Sequence, residues 1–370
     1  MKNKNYLSFY ESVVIDDEMW FSNINFNGLF KINIKSYITE FVAHFPNEKI
    51  NQKLLHTNCF EYKGQIVFVP ARGKFVHFYN VNSGEFTSIC VFEKEVSNDA
   101  VKFCNGAIRD GNFLYIVLKT GEMISVNLET KEVVEVKTFK EQCQKYVLSY
   151  ENFMFLNAVV FEEKMFFALN LKDKILVWDI KNKNLSAIEI GINNISSMYE
   201  GKDFFWITSN DDEYIYSCNK ANYKITKYDA DIYERRFEGK FYNNIIEVGE
   251  DVYAIPAQVE YILKLNHQNE KFEKAFDYPQ GFFFVEDFKT KWAKFRDYSI
   301  INNKIYLHPF TGNQMLIFGA GTDVIGKNIS VDDEVIQSVE NKIYKQEMKG
   351  KIVFEKQMFN IIDYLNVIKV

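Results

Sequence analysis

A short apolar segment recurs seven times along this chain, each time directly after a polar turn. The first residues of successive segments are 47, 48, 51, 39, 48 and 53 positions apart. Units of this length cannot bury their apolar faces alone and must stack on their neighbours. One repetitive structure is therefore expected, although 370 residues would allow two or three unrelated domains. The seven segments are Met19–Asn23, Ile66–Pro70, Leu114–Leu118, Met165–Leu169, Phe204–Thr208, Val252–Pro256 and Ile305–Pro309.

Each repeat has room for four short strands, which we call A to D. The third repeat shows the plan most clearly, with strands predicted at about 104–108, 113–118, 123–128 and 133–136. Gly and Asp in the intervening turns supply the backbone conformations that tight hairpins need. The strand B segments are apolar without alternation, which is typical of strands covered on both faces.

The pattern resembles the β-propeller superfamily over about residues 9–330. Trp178-Asp179 is the only Trp-Asp pair, and no paired-glycine kelch motif recurs. The resemblance therefore implies a fold and no particular activity. We predict an all-β, seven-bladed β-propeller over residues 1–330. Its ring closes either through residues 1–9 as an outer strand or by direct packing of the last blade on the first.

Residues 331–370 differ from the repeats and form a predicted C-terminal extension. Apolar residues recur at helical spacing over 355–369, which predicts a short C-terminal helix packed on the propeller. The alternative is that this helix docks a partner protein.

The bulk properties indicate a cytoplasmic protein. The net charge of −6 gives no support for binding nucleic acid or an anionic membrane. The five cysteines include no Cys-x-x-Cys pair, which favours reduced thiols, and the start lacks a signal-peptide core. The five histidines show no metal-ligand spacing, so we predict neither a metal nor another cofactor.

The connections between strands sort onto two faces of a propeller. The A–B and C–D turns are short, whereas the long irregular segments all fall on the opposite face. Variable loops on a rigid scaffold are where binding concentrates, so that face is the predicted functional face. The long segments are 44–57, 92–103, 140–154, 229–243 and 278–297.

Strand A lines the central channel of a propeller, and its start lies eight residues before each strand B segment. A ring of amides and carboxylates there can hold a polar ligand, a sugar or a cation. The alternative is that these residues cap strand ends and bind channel water. The column reads Glu11, Asn58, Gly106, Asn157, Ser196, Asn244 and Asp297.

The insert before the seventh repeat interleaves four cationic residues with Trp292, Phe295 and Tyr298. Such a segment can bind an anion, with Arg296 among the cations, or can be a solvated linker. Arg72 is also predicted to lie on the functional face of the propeller. His308 ends the seventh strand B, although a lone strand histidine is more often structural than catalytic.

The leading functional hypothesis is a noncatalytic cytoplasmic scaffold that recognises a protein, peptide or glycan at the loop-rich face. The alternative is a propeller hydrolase or lyase acting on a carbohydrate or another polar small molecule. Glu11 and Asp297 would then be its acid and base, with Arg72, Arg296 and His308 as further candidates. Two acids about 5–10 Å apart would favour glycoside chemistry. The predicted ligand-binding residues are Glu11, Asn58, Arg72, Asn157, Asn244, Trp292, Arg296, Asp297 and His308.

Overall fold

The computed structural model describes residues 7–92, 104–118, 121–146, 155–169, 173–231, 241–257, 259, 261–282, 294–310, 313–319 and 322–347. Within these ranges the chain forms seven consecutive groups of four antiparallel strands. Each predicted strand B segment is the second strand of its group, and it pairs with the strands before and after it in sequence.

The strands are numbered in chain order. Group 1 contains β1 Val13–Ile15, β2 Glu18–Ser22, β3 Leu29–Asn33 and β4 Thr39–Ala43, and group 2 contains β5 His56–Tyr62, β6 Gln65–Pro70, β7 Phe75–Asn80 and β8 Glu85–Cys90. Group 3 contains β9 Cys104–Asp110, β10 Phe113–Leu118, β11 Met123–Asn127 and β12 Val133–Glu135. Group 4 contains β13 Phe155–Phe161, β14 Lys164–Leu169, β15 Lys174–Asp179 and β16 Asn184–Glu189. Group 5 contains β17 Ile195–Glu200, β18 Phe204–Ser209, β19 Ile215–Asn219 and β20 Ile225–Ala230. Group 6 contains β21 Tyr242–Val248, β22 Asp251–Pro256, β23 Leu263–Asn266 and β24 Lys271–Lys274. Group 7 contains β25 Phe295–Ile301, β26 Lys304–Pro309, β27 Gln314–Gly319 and β28 Ile325–Asn328.

Five of the groups are separate four-stranded sheets, whereas groups 5 and 6 are joined into one eight-stranded sheet. The joint is a short parallel pairing between the last strands β20 and β24, where Asp229 lies opposite Lys271 and Ala230 opposite Phe272. Sequence analysis did not predict this joint, because the repeat pattern predicts strands within each group and carries no information on pairing between groups.

Apolar clusters lie between consecutive groups. The cluster between groups 2 and 3, for example, combines Val69 and Phe78 with Ile116 and Val126. Equivalent clusters join groups 1 and 2, 3 and 4, 4 and 5, 5 and 6, and 6 and 7. Groups 2 to 6 are therefore covered on both faces, which explains why their strand B segments show no alternation.

The first strands of successive groups contact one another and form the inner wall. Group 7 closes against the segment that precedes β1. Phe9 stacks on Phe21 with 3.8 Å between ring centroids and contacts the His308 ring at 4.3 Å. Residues 7–9 add no strand to group 7, which takes its four strands from residues 295–328. The described residues show direct packing of group 7 on the start of group 1, and residues 1–6, which the alternative closure needs, lie outside them.

Within the described residues, one helix interrupts the strand pattern and a second follows the last strand. Helix α1, Lys137–Cys143, lies between groups 3 and 4 and buries Phe139 and Cys143 in their shared core. Sequence analysis had assigned the overlapping segment 140–154 to an irregular loop.

Residues 332–370 form a compact unit separate from residues 1–331. Its described helix α2 spans Asp333–Glu347 and begins with Asp333 and Glu334, whose charges suit a helix N-terminus. The helix predicted over 355–369 lies outside the described residues. No helix in the described part of the chain is long and apolar enough to cross a membrane.

Candidate functional site

A β-bulge interrupts the same end of six of the seven inner strands. In β5 the register passes from His56–Pro70 to Asn58–Val69, so that Thr57 is the extra residue. A bulge bends the strand, re-aims a side chain and leaves backbone groups without ladder partners. The inner wall therefore ends in a ring of irregular backbone. The extra residues are Thr57, Asn105, Leu156, Ser196, Asn243 and, in β25, one of Arg296 and Asp297, which together lie opposite His308.

The bulges correct the predicted column of channel residues. In four groups the extra residue directly precedes the predicted one, as Thr57 precedes Asn58 and Asn243 precedes Asn244. In groups 5 and 7 the column falls on the bulge, at Ser196 and at Asp297. Counting eight residues back from strand B cannot detect a bulge, because the extra residue can be of many types and leaves no pattern in the sequence.

Side chains from neighbouring groups bond the carbonyls of this ring. The Tyr199 hydroxyl donates to the Asn243 carbonyl, and Asn243 Nδ2 donates to the carbonyls of Phe295 and Arg296 at 2.9 and 2.7 Å. The Cys59 thiol donates to the Glu11 carbonyl at 3.3 Å. These bonds join groups 5, 6 and 7, and groups 1 and 2, at one level.

Glu11 and Asp297 are the acidic pair of the ring. Asn58 Nδ2 donates to Glu11 Oε1 at 2.7 Å. Burial and the negative charge of Asp297 raise the pKa of Glu11 to about 8, against the opposing effect of the Asn58 hydrogen bond. Glu11 is therefore largely protonated at pH 7, and Oε2 is left to carry the proton. A neutral acid beside a second carboxyl group is the arrangement used in general acid–base catalysis.

Arg296 connects group 7 to the segment before β1. Its guanidinium lies over the rings of Tyr10 and Phe310, with Cζ 3.8 and 4.5 Å from the centroids, and donates to the Tyr10 hydroxyl. Burial lowers the pKa of Arg296, while the charge of Asp297 opposes that effect.

Four buried polar atoms near this level make no hydrogen bond within the described part of the structure. They are Thr57 Oγ1, Asn58 Oδ1, Asn244 Nδ2 and Arg296 Nε. Buried polar atoms are rarely left unpaired, so these are the positions where a polar ligand or water would gain hydrogen bonds.

His308 is completely buried at the junction of groups 7 and 1. Its Nδ1 donates to the Tyr10 carbonyl at 2.6 Å, and its Nε2 accepts from the Ser299 hydroxyl at 3.0 Å. Burial lowers the pKa of His308 to about 3, so the ring is neutral. Both nitrogens are occupied by the ring closure, and no face is left for a ligand.

A second histidine chain crosses the junction of groups 1 and 2. Because the Pro46 carbonyl can only accept, His77 Nε2 donates to it at 3.0 Å. His77 Nδ1 then accepts from His56 Nε2 at 3.0 Å, and His56 Nδ1 accepts from the Ser22 hydroxyl at 2.8 Å. Burial lowers the pKa of His56 well below its usual value and that of His77 to about 4, which keeps both rings neutral.

A recess of about 10 Å³, which is room for about one water molecule, lies between Glu11 and His56. This volume is below the roughly 300–1,000 Å³ of sites that enclose a drug-sized ligand. Among the described residues, no three His, Cys, Asp or Glu side chains are placed to hold a metal ion. The recess is lined by Tyr10, Glu11, Ser22, His56, Thr57, Asn58, Cys59 and Phe68.

Comparison with solved structures identifies the architecture. The chain superimposes on virginiamycin B lyase from Staphylococcus aureus with a TM-score of 0.58 and 12% identity, covering 82% of this chain and 92% of the lyase. The Pan2 WD40 domain of Neurospora crassa gives 0.53 and 10% identity, covering 86% and 90%. This chain is a β-propeller. The likeness at such low identity shows the fold alone.

The propeller also resembles BamB from Moraxella catarrhalis, with a TM-score of 0.50, 11% identity and coverage of 81% and 82%. No family model and no curated protein matches the sequence. The solved relatives thus include one named as an enzyme and one named as a WD40 domain.

The propeller brings some of the predicted site residues together. Glu11, Asn58, Arg296 and Asp297 lie at one level of the inner wall, and the Arg72 charge acts on Tyr10 at the same place. Asn244 is buried beside the bulge of β21. Asn157 is placed on β13 opposite Ala168, and Trp292 lies outside the described residues.

Sequence reasoning missed Tyr10, Ser22, His77 and Tyr199. Tyr10 directly precedes Glu11, and His77 is the only histidine in its strand C, but neither position has a motif. Their roles depend on contacts between groups that are distant in sequence.

Proposed function

We propose that this propeller binds a polar small molecule at the bulged end of its channel and acts on it by general acid–base chemistry. Glu11 would act as the acid, because it holds a proton at neutral pH, and Asp297 would act as the base. The observation that supports this most directly is the electrostatic coupling of the two carboxyl groups inside the protein. Arg296 and the unpaired polar atoms would orient the ligand.

The substrate class that suits this chemistry is a carbohydrate or a similarly polar molecule carrying an anionic group. Carboxyl pairs catalyse the cleavage of glycosidic bonds when one holds a proton and the other is ionised. Arg296 would neutralise a ligand anion, and amides such as Asn58 would bond hydroxyl groups. The printed name of the similar lyase is consistent with an enzyme on this fold but says nothing of this substrate.

The test is a panel of 4-nitrophenyl glycosides for hydrolysis and of polyuronates for elimination, the latter followed by ultraviolet absorbance. Glu11→Gln and Asp297→Asn should each lower kcat/KM by about 10²–10⁴ if they are the acid and the base. Glu132→Gln is the matched control, because Glu132 is exposed on a turn of group 3. Unchanged kcat/KM in both variants of the pair would exclude the proposed acid–base roles.

The second candidate is a noncatalytic scaffold that recognises a protein, peptide or glycan at the loop-rich face. It is favoured by the size of the recess, which is small for an enclosed substrate. The two candidates separate by titration calorimetry with glycans. Binding that survives Glu11→Gln without any turnover of the glycan by the wild type would favour the scaffold.

Three further features belong to the same proposal. We count the eight-stranded sheet as two blades, which makes the propeller seven-bladed. We propose that the protein is located in the cytoplasm, and fractionation of the native cells would test this. We also propose that the segment 331–370 packs on the propeller or docks a partner protein, and copurification with and without that segment separates these two.

A further inference from the structure

We propose that the outer strand β12 pairs with β12 of a second copy of this chain, so that two propellers form a symmetric dimer. The proposal concerns the outer edge of group 3 and does not depend on the function proposed above. It rests on an uncovered strand edge, on two exposed valines and on a charge pattern that is complementary to itself.

The outer strands of several other groups are paired, covered or distorted. β20 and β24 pair with each other, which shows that outer edges can pair on this propeller. Helix α1 covers β16, because Leu185 donates its N–H to Gln142 Oε1 at 2.7 Å and the Tyr146 hydroxyl donates to the Leu185 carbonyl at 3.3 Å. β4 has a register shift where it pairs with Leu29 and Phe30. Such features prevent an outer strand from pairing with another chain.

Strand β12 has none of these features within the described residues. Its one neighbour there is β11, to which the Glu132 carbonyl and the Val136 N–H bond at 2.9 and 2.8 Å. Backbone groups of successive residues point to alternate sides of an antiparallel strand. The N–H and C=O groups of Val133 and Glu135 therefore point away from β11, where a second strand can bond them.

The side chains of β12 favour burial against such a strand. Val133 is 36% exposed and Val134 is 49% exposed. Because consecutive side chains point to opposite faces, β12 exposes apolar surface on both faces of its sheet. The remaining outer strands β8 and β28 have no large apolar side chain this exposed.

The charges around β12 select one register for antiparallel pairing with a second copy. With Val133 opposite Val133, Lys131 of each copy lies opposite Glu135 of the other. A shift of two residues in one direction places Glu129 opposite Glu135, and a shift in the other direction places Lys131 opposite Lys137. Opposite charges stabilise a cross-strand pair and like charges destabilise it. The favoured register has a two-fold axis through the Val133 pair, as a symmetric dimer requires.

Lys131 is already held beside this edge. Its Nζ lies 3.1 Å from the centroid of the Phe78 ring, and burial lowers its pKa. A carboxylate of the second copy would stabilise the positive charge that burial disfavours. The contact with Phe78 also restricts the side chain, so less conformational entropy is lost when the pair forms.

The experiment measures the mass of the full chain by sedimentation equilibrium from about 1 µM to about 1 mM. We expect the average mass to rise with concentration from 43.6 kDa towards twice that value. Val133→Pro removes an N–H that faces away from β11, so it should abolish the dimer and leave the propeller folded.

Charge reversal tests the register itself. Lys131→Glu and Glu135→Lys should each weaken association by about 10-fold or more, because each places like charges opposite one another. The double variant restores opposite charges and should restore the dimer. Glu85→Lys is the matched control, because Glu85 is an exposed glutamate on the outer strand β8, and it should leave association unchanged.

Each variant is checked for folding by circular dichroism and thermal melting. A wild-type mass that stays at 43.6 kDa over the whole concentration range overturns the proposal without any variant. A dimer that persists in folded Val133→Pro, or a double variant that does not regain association, overturns it as well.

Discussion

The two junctions on either side of group 1 are built from the same residue types and differ in what lies next to the hydroxyl group. At the junction of groups 7 and 1, Ser299 and the Tyr10 carbonyl bond the two nitrogens of His308, and neither Ser299 nor His308 lines the recess of the candidate site. At the junction of groups 1 and 2, Ser22 and His56 line a recess. The comparison shows that the same Ser–His hydrogen bond can lie away from this recess at one junction and beside a space for about one water molecule at the other.

The largest effects should come from the aromatic residue that packs on each histidine. Phe9 contacts His308 at 4.3 Å, and Phe45 contacts His56 at the same centroid distance. Each Phe→Ala substitution should reduce the free energy of unfolding by about 3–5 kcal/mol, measured by urea denaturation. Phe113→Ala, at a side chain that is 42% exposed, should change it by less than about 0.5 kcal/mol. A much smaller loss at either junction would show that the two are not energetically equivalent.

Acid should destabilise both junctions together. The pKa values of His56, His77 and His308 are all lowered by burial, so the unfolded chain binds more protons than the folded chain below about pH 6.5. The free energy of unfolding must then fall as pH falls through that range. His308→Asn, which does not titrate there, should make the slope shallower in a series of melts from pH 7 to pH 4. An unchanged slope would mean that His308 is not neutral in the folded protein.

Glu11 should act in the opposite direction at higher pH. Its pKa of about 8 is above the usual value, so the folded chain holds a proton that the unfolded chain has lost between about pH 4.5 and 8. Stability should therefore decrease as pH rises across this window, and Glu11→Gln should remove the decrease. The check is the difference in melting temperature between pH 6 and pH 8.5. Equal losses in wild type and variant would indicate that Glu11 is already ionised.

The smallest effect on stability should follow from Thr57→Val. The Thr57 hydroxyl is buried and makes no hydrogen bond within the described part of the chain, so no bond is lost. The free energy of unfolding should change by less than about 0.5 kcal/mol or increase slightly. The measurement is urea denaturation of Thr57→Val and wild type. A loss of more than about 1 kcal/mol would show that the Thr57 hydroxyl makes a hydrogen bond in solution, for example to a water molecule in the recess.

The repeat predicted most of the fold because its signal is local. Seven apolar segments at nearly constant spacing required stacked sheets, and each became the second strand of its group. The parallel joint between β20 and β24 left no signal, because it depends on the approach of two outer strands whose paired residues are 42 positions apart. Helix α1 was missed because its seven residues are too few for helical periodicity to emerge.

The sequence predicted part of the candidate site for the same reason. Glu11, Asn58 and Asp297 could be aligned because each precedes a strand B segment by eight residues. The bulges could not be predicted, since an inserted residue shifts the register without changing the residue types. The hydrogen bond between His56 and His77 could not be predicted either, because it depends on strands β5 and β7 lying in one sheet.

The sequence by itself determined that the chain forms stacked four-stranded units, because apolar spacing and turn residues act within each repeat. The tertiary structure decided which polar residues meet, how the ring closes, and which hydroxyl groups line a recess. Those features depend on contacts between residues up to 298 positions apart, such as His308 and Tyr10. Such contacts form only when the repeats have assembled, and burial then sets the protonation of Glu11 and of the three histidines.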